Sequence, residues 1–284
     1  MLHRLLLGLL LLLPPTLQAE TVHLTMPGDR IASAELLPGD TDKPLLLFVH
    51  AFLQTRNFPT GKRLAESLNE EGYPTLSPTL TLGISDRQSS LPCESLQLHS
   101  IDQEAEEIQQ WVDWAMQRGY RKIQLIGHSA GSVSVVAYLD RYADSLPEAV
   151  TRAILISLTH FGPGRPATFE TAELATRARQ LLEQGRNEPV ELALAFCEKY
   201  PARPSDYLSY LHYNADRVQQ IIAESPVQTH VVLGSKDFRI SQRWIERLRT
   251  HSARARFIEG ANHFFDQSHE FDLLDTVSEI IEAP

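Results

Sequence analysis

The segment Gly127-His128-Ser129-Ala130-Gly131 contains the residue types that nucleophilic catalysis by a serine requires. A serine hydroxyl is a weak nucleophile unless the backbone exposes it and a neighbouring base takes its proton. A tight turn between a strand and a helix provides that exposure, and the flanking glycines leave room for the neighbouring backbone. The following helix points its first N–H groups toward the place where an oxyanion forms. The motif therefore indicates a nucleophile elbow with Ser129 at its tip.

A serine nucleophile needs a base, and the chain offers eleven histidines. In a parallel sheet, functional side chains lie in the loops just beyond the carboxyl ends of the strands. His263 follows the last predicted strand in such a loop, which favours it as the base. His23 lies in a predicted hairpin, His230 begins a strand and His251 closes a helix. His269 is near His263 but lies where the last helix begins.

The base in turn needs a carboxylate that fixes its tautomer and stabilises the imidazolium. Asp237 is the first acidic residue after the predicted strand 227–234, so we expect it to fill this role. Asp266 and Asp272 are alternatives, although they lie on the same segment as the base.

An oxyanion formed during acyl transfer needs fixed N–H donors. The backbone N–H of Ala130, directly after the nucleophile, is the first expected donor. The second is expected in the turn after the apolar strand 45–49, where Phe52 is the preferred donor and Leu53 the next.

The elements that would position these residues alternate between strands and helices from residue 45 onward. This alternation predicts an α/β fold with a doubly wound, mostly parallel sheet that helices cover on both faces. The predicted strands are 21–26, 31–37, 45–49, 73–80, 122–127, 149–158, 227–234 and 256–259. The predicted helices are 60–71, 100–118, 132–143, 241–251 and 270–281.

The interval 159–226 breaks this alternation, because it is long and helical in pattern. It is also rich in aromatic residues: Phe161, Phe169, Phe196, Tyr200, Tyr207, Tyr210 and Tyr213. We interpret it as a helical cap inserted over the carboxyl edge of the sheet. The alternative is one crossover helix followed by irregular chain.

Taken together, these motifs resemble those of the α/β-hydrolase superfamily, and the resemblance covers nearly all of residues 20–284. It rests on the elbow, on Gly234-Ser235-Lys236-Asp237, on Gly260-Ala261-Asn262-His263 and on His50-Ala51-Phe52. The order of serine, aspartate and histidine matches that of the family. The resemblance implies an eight-stranded sheet, a cap after strand six and hydrolysis through an acyl-enzyme. One position departs from the pattern, since Ala51 stands where relatives usually carry glycine.

The expected activity is hydrolysis of a carboxylic ester or thioester of a small or lipid-like molecule. Amide or peptide hydrolysis and acyl transfer are alternatives on the same three side chains, because the fold does not choose among them. A lipase acting at interfaces and a non-catalytic protein that binds a ligand under its cap are further alternatives. No metal-binding motif or cofactor motif is present in the sequence, so no cofactor is expected.

The overall charge excludes one class of partner. With 26 basic and 36 acidic residues, the formal net charge is −10. No net positive field attracts the phosphates of nucleic acid or an anionic membrane surface. The arginines between Arg243 and Arg256 are spread along a predicted helix and strand, which is typical of a solvated face.

The first residues have the pattern of a secretory signal peptide. His3 and Arg4 precede the short apolar run 5–13, and a breaker and the small residue Ala19 follow. The run is too short to span a bilayer, so we expect cleavage between Ala19 and Glu20 and an exported protein without a stable membrane anchor. An uncleaved anchor is the alternative. The oligomeric state does not follow from the sequence.

Two cysteines, Cys93 and Cys197, follow this segment. Export would place them in an oxidising compartment, where a disulfide persists. Cys93 lies in the predicted loop after strand four, and Cys197 lies in the predicted cap above the same sheet edge. We therefore expect a bridge that fastens the cap to the core; two free thiols are the alternative.

Overall fold

The computed structural model describes residues 18–162, 171–252 and 254–283. Nearly all of the predicted signal peptide 1–19 lies outside the described residues, as does Phe169 of the predicted cap. In the ranges described, no helix is both long and apolar enough to cross a membrane.

The first half of the chain begins with a hairpin and then alternates between strands and helices. The elements are β1 (Glu20–Met26), β2 (Arg30–Leu37), β3 (Leu45–Val49), α1 (Pro59–Glu70), β4 (Thr75–Thr79), α2 (Ile101–Gln117), β5 (Ile123–His128), α3 (Ala130–Arg141) and β6 (Val150–Ile156). Helix α2 begins with a capping box, in which Ser100 and Gln103 each accept a hydrogen bond from the backbone N–H of the other. This box satisfies two N–H groups that the first helical turn leaves without partners.

The second half contains the long segment after β6 and then resumes the alternation. Its elements are α4 (Thr171–Glu183), β7 (Val190–Leu194), β8 (Cys197–Ala202), α5 (Pro204–His212), α6 (Ala215–Glu224), β9 (Gln228–Gly234), α7 (Gln242–His251), β10 (Ala255–Ile258) and α8 (His269–Glu282).

The described residues form an eight-stranded sheet in the order β1-β2-β4-β3-β5-β6-β9-β10. Strand β2 is antiparallel to both of its neighbours, and all other pairs are parallel. Strand β5 lies between β3 and β6, so that Val49 and Ile156 lie beside the end of the strand that leads to Ser129. The prediction of a mostly parallel, doubly wound sheet is confirmed.

Two apolar layers cover the sheet. Side chains of α2 and α3, including the fully buried Trp111 and Tyr138, pack on one face. Helices α1 and α8 cover the other face with residues such as Leu68 and Val277. The central strands are buried on both faces, and for this reason they read as continuous apolar runs in the sequence.

The segment between β6 and β9 is not purely helical. Strands β7 and β8 form a separate antiparallel hairpin, in which Leu192 pairs with Tyr200 and Leu194 with Cys197. The helical pattern assigned to 159–226 missed this hairpin, because its strands of five and six residues are too short to outweigh the helices around them. Some of the aromatic residues of this segment therefore lie in the hairpin and not in a helix.

A disulfide joins Cys93 to Cys197, with their Cα atoms 5.2 Å apart. It connects the loop between β4 and α2 to the first residue of β8. A parallel bridge between Gln97 and Ala202 and the bond from the Gln97 N–H to the Pro201 carbonyl reinforce the same contact. The predicted bridge is therefore present, and it fastens the hairpin to the core of the domain.

The disulfide should contribute strongly to stability, because it closes a loop across a sequence separation of 104 residues. In the chain-entropy model, a loop of this length is worth up to about 4.7 kcal/mol. We predict that Cys93→Ala/Cys197→Ala lowers the free energy of unfolding by an amount approaching that value, as measured by urea denaturation. Reduced wild-type protein serves as the control and should lose stability similarly. An unchanged midpoint would contradict the prediction.

The turn from β5 into α3 holds Ser129 at φ 56° and ψ −120°. This is a backbone conformation that residues with a Cβ rarely adopt, and it is strained by about 1–3 kcal/mol. Glycine removes that strain, at some cost in chain entropy. We predict that Ser129→Gly has a melting temperature about 2–4 °C above that of Ser129→Ala. Both variants lack the hydroxyl, so differential scanning calorimetry isolates the backbone effect; equal melting temperatures would argue against strain.

Candidate active site

Three side chains predicted from the sequence meet at the carboxyl edge of the sheet. Ser129 follows β5, Asp237 follows β9 and His263 follows β10. His263 Nε2 lies 2.9 Å from Ser129 Oγ, and His263 Nδ1 lies 2.7 Å from Asp237 Oδ2. Asp237 is completely buried, whereas Ser129 is half-buried. With Nδ1–H donating to the carboxylate, Nε2 is free to accept the serine proton.

The remaining histidines and acids considered above lie elsewhere. His269 forms a pair with Asp272 within one turn of α8, where both side chains are partly or largely exposed. Asp266 accepts a hydrogen bond from Asn262 in an exposed loop. His230 is buried within β9, and burial lowers its pKa to about 4. Of the described histidines, only His263 bonds at one nitrogen to a buried carboxylate and at the other to a serine hydroxyl.

Two residues that the sequence did not single out for this purpose hold the backbone of His263. Ser157 Oγ donates to the His263 carbonyl at 2.9 Å, and His128 Nε2–H donates to the same oxygen at 3.0 Å. Burial lowers the pKa of His128 to about 3, and the nearby His263 adds to this effect, so its imidazole is neutral. The residue before the nucleophile thus fixes the loop that carries the base. In the sequence, the only indication of this role of His128 is its position within the elbow motif.

The two glycines of the elbow lie against backbone. A Cβ on Gly127 would approach the Gly131 carbonyl oxygen to 2.5 Å, and a Cβ on Gly131 would approach the Val49 carbonyl oxygen to 2.3 Å. Real Cβ atoms do not make such contacts, so both positions require glycine. The close approach brings the first turn of α3 against the end of β3.

The loop after β3 carries the predicted oxyanion donors. Within the described chain, the N–H groups of Phe52 and Ala130 have no backbone or side-chain acceptor, and neither does that of Leu53. Phe52, Ala130 and Gly131 line one small cavity. These amides are therefore free to donate to a ligand. Ala51 is buried and fits the loop without glycine.

The half-buried His50 and the buried Arg87 brace this loop from the core side. The neutral ring of His50 accepts from the Leu80 N–H at 3.0 Å, and burial, with Arg87 second, lowers its pKa to about 3. Arg87 donates to the carbonyls of Leu80 and Gln54 at distances between 2.7 and 3.0 Å. Burial lowers the Arg87 pKa to about 10, so it stays protonated at neutral pH. No sequence motif indicated Arg87, because its role depends on tertiary contacts alone.

Aromatic rings pack around Phe52 from the opposite side. Its ring centroid lies 5.7–6.3 Å from those of Phe161, Phe196, Tyr200 and Tyr210. All four belong to the segment between β6 and β9. That segment therefore contacts the loop that carries Phe52.

Glu104 links three helices beneath that cavity. Its carboxylate on α2 accepts from Ser134 Oγ of α3 at 2.5 Å and from the Tyr210 hydroxyl of α5. Burial raises the pKa of Glu104 to about 7 against the opposing effect of these donors. The network ties the elbow helix to the inserted segment. The described residues contain no group of His, Cys, Asp and Glu side chains arranged to hold a metal ion.

Comparisons with known structures agree with this fold. Est1E from Butyrivibrio proteoclasticus superposes with a TM-score of 0.63 at 18% identity, covering 92% of this chain and 97% of its own. The α/β hydrolase GrgF from Penicillium sp. sh18 gives a TM-score of 0.68 at 16% identity, with coverage of 94% and 98%. A thioesterase domain from the curacin biosynthetic pathway gives 0.55 at 17% identity, with coverage of 94% and 100%. At these identities, the likeness establishes the fold.

A search among curated proteins finds no match. The sequence profile of the alpha/beta hydrolase family, in contrast, matches residues 46–275, a range that contains the elbow, Asp237 and His263. The chain therefore belongs to the α/β hydrolase family.

Proposed function

We propose that this protein is a serine hydrolase that cleaves a carboxylic ester or thioester of a small or lipid-like molecule. The observation that carries the proposal is the hydrogen-bonded chain from Ser129 through His263 to the buried Asp237. A nucleophile, a base and an orienting acid in this arrangement serve acyl transfer on several unrelated folds. No step of the proposed reaction requires a cofactor.

In the proposed mechanism, His263 Nε2 removes the proton from Ser129 Oγ as the oxygen attacks the acyl carbon. Asp237 accepts the Nδ1–H bond and stabilises the imidazolium that forms. The imidazolium then returns its proton to the departing alcohol or thiol, which leaves an acyl-enzyme on Ser129. Water, deprotonated by His263, attacks this ester and releases the acid.

The negative charge on the tetrahedral intermediate needs donors that are already in place. The N–H groups of Ala130 and Phe52 are proposed for this role, because they lack acceptors in the described chain and follow β5 and β3, two adjacent parallel strands that end at the same sheet edge. Loss of one such donor typically costs a factor of 10²–10³ in kcat. Leu53 is the alternative second donor.

The named relatives fit a small-molecule substrate. One solved structure holds ferulic acid bound to Est1E, and another structural neighbour is a thioesterase domain. A dienelactone hydrolase is also among the structural neighbours, so ester and thioester substrates both remain within the proposal. Amidase, peptidase and acyltransferase activities on the same three side chains are the alternatives, together with ligand binding without catalysis.

The first test is covalent labelling by a fluorophosphonate probe. We expect Ser129→Ala to abolish labelling, because the phosphonylated oxygen is then absent, and Asp237→Asn to lower kcat by about 10⁴. The exposed Ser145 supplies the matched control, and Ser145→Ala should label like wild type. Labelling of Ser129→Ala at the wild-type rate would refute the nucleophile.

A panel of 4-nitrophenyl esters, thioesters and anilides of graded length distinguishes the substrate classes. We expect esters or thioesters to turn over faster than anilides. Labelling without turnover of any member would favour a ligand-binding protein.

We further propose that the chain is exported and cut between Ala19 and Glu20. The pattern of residues 1–19 and the disulfide between Cys93 and Cys197 support this, since disulfides persist in oxidising compartments. Mass spectrometry of the protein from the extracytoplasmic fraction should find Glu20 as the first residue. A mature chain that retains residues 5–13 would contradict it.

A further inference from the structure

A cleft of 590 Å³ lies on the inserted-segment side of the sheet edge, between α4, α6 and α7. Clefts that bind small molecules typically enclose about 300–1,000 Å³. Its walls contain arginines, the polar N-cap residues of α6 and α7, and apolar side chains. The lining residues that the argument uses are His160, Arg179, Leu211, Arg243, Trp244 and Arg247.

This cleft is close to the proposed active site along the chain. Ser241, which lines it, follows Asp237 by four positions, and His160 follows Ser157 by three. Extended chain spans at most about 3.6 Å per residue, so these walls begin within about 14 Å and 11 Å of those two residues. Asp237 and Ser157 each hydrogen-bond to His263. Two walls of the cleft therefore begin near residues that position the proposed base.

The charges in the cleft do not balance. Arg247 forms an ion pair with Asp216 at 2.6 Å and also bonds to Gln219. Arg179 and Arg243 also line the cleft, yet neither has a hydrogen bond or an ion pair with any other described residue. These two exposed guanidinium groups therefore have no partner in the described chain and are accessible to an anionic ligand.

Arg179 lies on α4 and Arg243 on α7, and the arginines of these helices that lie outside the cleft have partners. Arg177 of α4 reaches the Glu191 carbonyl. Arg249 of α7 pairs with Glu246 and lies 4.0 Å over the ring of Phe257. On α4 and α7, the two exposed arginines without partners are those that line the ligand-sized cleft.

Apolar surface accompanies the arginines. Trp244 is buried with its ring 5.1 Å from that of His160, and Leu211 and Ala175 complete the apolar part of the wall. A ligand that matches this wall has an apolar body and an anionic end. Guanidinium groups bind planar carboxylates and phosphates through paired N–H donors.

We propose that the cleft binds the anionic end of the substrate, a carboxylate or phosphate on an apolar chain, with Arg179 and Arg243 as specificity-determining residues. This inference rests on the proposed ester hydrolysis at Ser129, and it narrows the substrate class from esters in general to esters that carry a distant negative charge.

The kinetic test compares matched esters. Half-esters of 4-nitrophenol with dicarboxylic acids of four to ten carbons are set against neutral 4-nitrophenyl alkanoates of the same length. We expect the anionic-to-neutral ratio of kcat/KM to peak at one chain length. In Arg179→Gln/Arg243→Gln this ratio should fall about tenfold, as expected for two exposed charge contacts.

The matched control is Arg177→Gln/Arg249→Gln, which removes two arginines from the same helices outside the cleft. It should leave the ratio within about twofold of wild type, because neither side chain lines the cleft. Both double variants remove two positive charges, so their long-range charge effects are matched. An equal fall in both variants, or no fall in the cleft variant, would overturn the proposal.

A binding measurement keeps this inference separate from the proposed hydrolysis. Ser129→Ala is titrated by calorimetry with octanoate, octyl phosphate and neutral octanamide. We expect both anions, or one of them, to bind at least about tenfold more tightly than octanamide, and Arg179→Gln/Arg243→Gln to remove that preference. The tighter anion identifies the head group. Equal affinity for octanamide would overturn the cleft assignment, whereas anion preference without turnover of any ester would overturn only the hydrolysis.

Discussion

The geometry of the proposed site depends on the close approach of helix α3 to the end of strand β3. Gly131 lies so close to the carbonyl oxygens of Val49 and His50 that a Cβ there would come within 2.4 Å of either. This contact fixes the distance between the elbow and the loop that carries Phe52. It also explains why Ser129 must adopt a positive φ, since the chain has to reverse from β5 into α3 within one residue. A strained residue and two glycines are thus consequences of one packing requirement.

A second close backbone contact fixes the positions of Asp237 and His263. A Cβ on Gly234 would come within 2.3 Å of the Ala261 carbonyl oxygen, so the ends of β9 and β10 lie against each other there. The Lys236 N–H donates to that same carbonyl at 2.9 Å. Asp237 and His263 follow these contacts by only a few residues, which sets their separation. Two glycine contacts, one on each side of β5 and β6, therefore define where the three side chains can meet.

Most of the sheet could be predicted from the sequence, because its strands are apolar runs bounded by turn residues. The strand 45–49 was placed to the residue, and the proximity of Asp237 and His263 was predicted because groups at the carboxyl edge of a parallel sheet converge. The hairpin of β7 and β8 was missed, since its short strands carry no signal that separates them from the surrounding helices. Arg87, Ser157 and Glu104 were missed for another reason: each acts through partners distant in sequence. Burial of a charged residue becomes visible only when the fold is known.

The loop that carries Phe52 is held from two independent sides. On the core side, the neutral His50 and the charged Arg87 bond to the backbone on either side of it, and such buried polar contacts are expensive to leave unmade. On the other side, the rings of Tyr200 and Phe196 belong to the hairpin that the disulfide fastens to the loop after β4. A loop with free N–H groups must be rigid if those groups are to stabilise a developing charge without reorganising. The inserted segment is therefore part of the support of the proposed oxyanion site. Substitutions in this segment that change substrate preference must preserve its contacts with Phe52 if that site is to stay rigid.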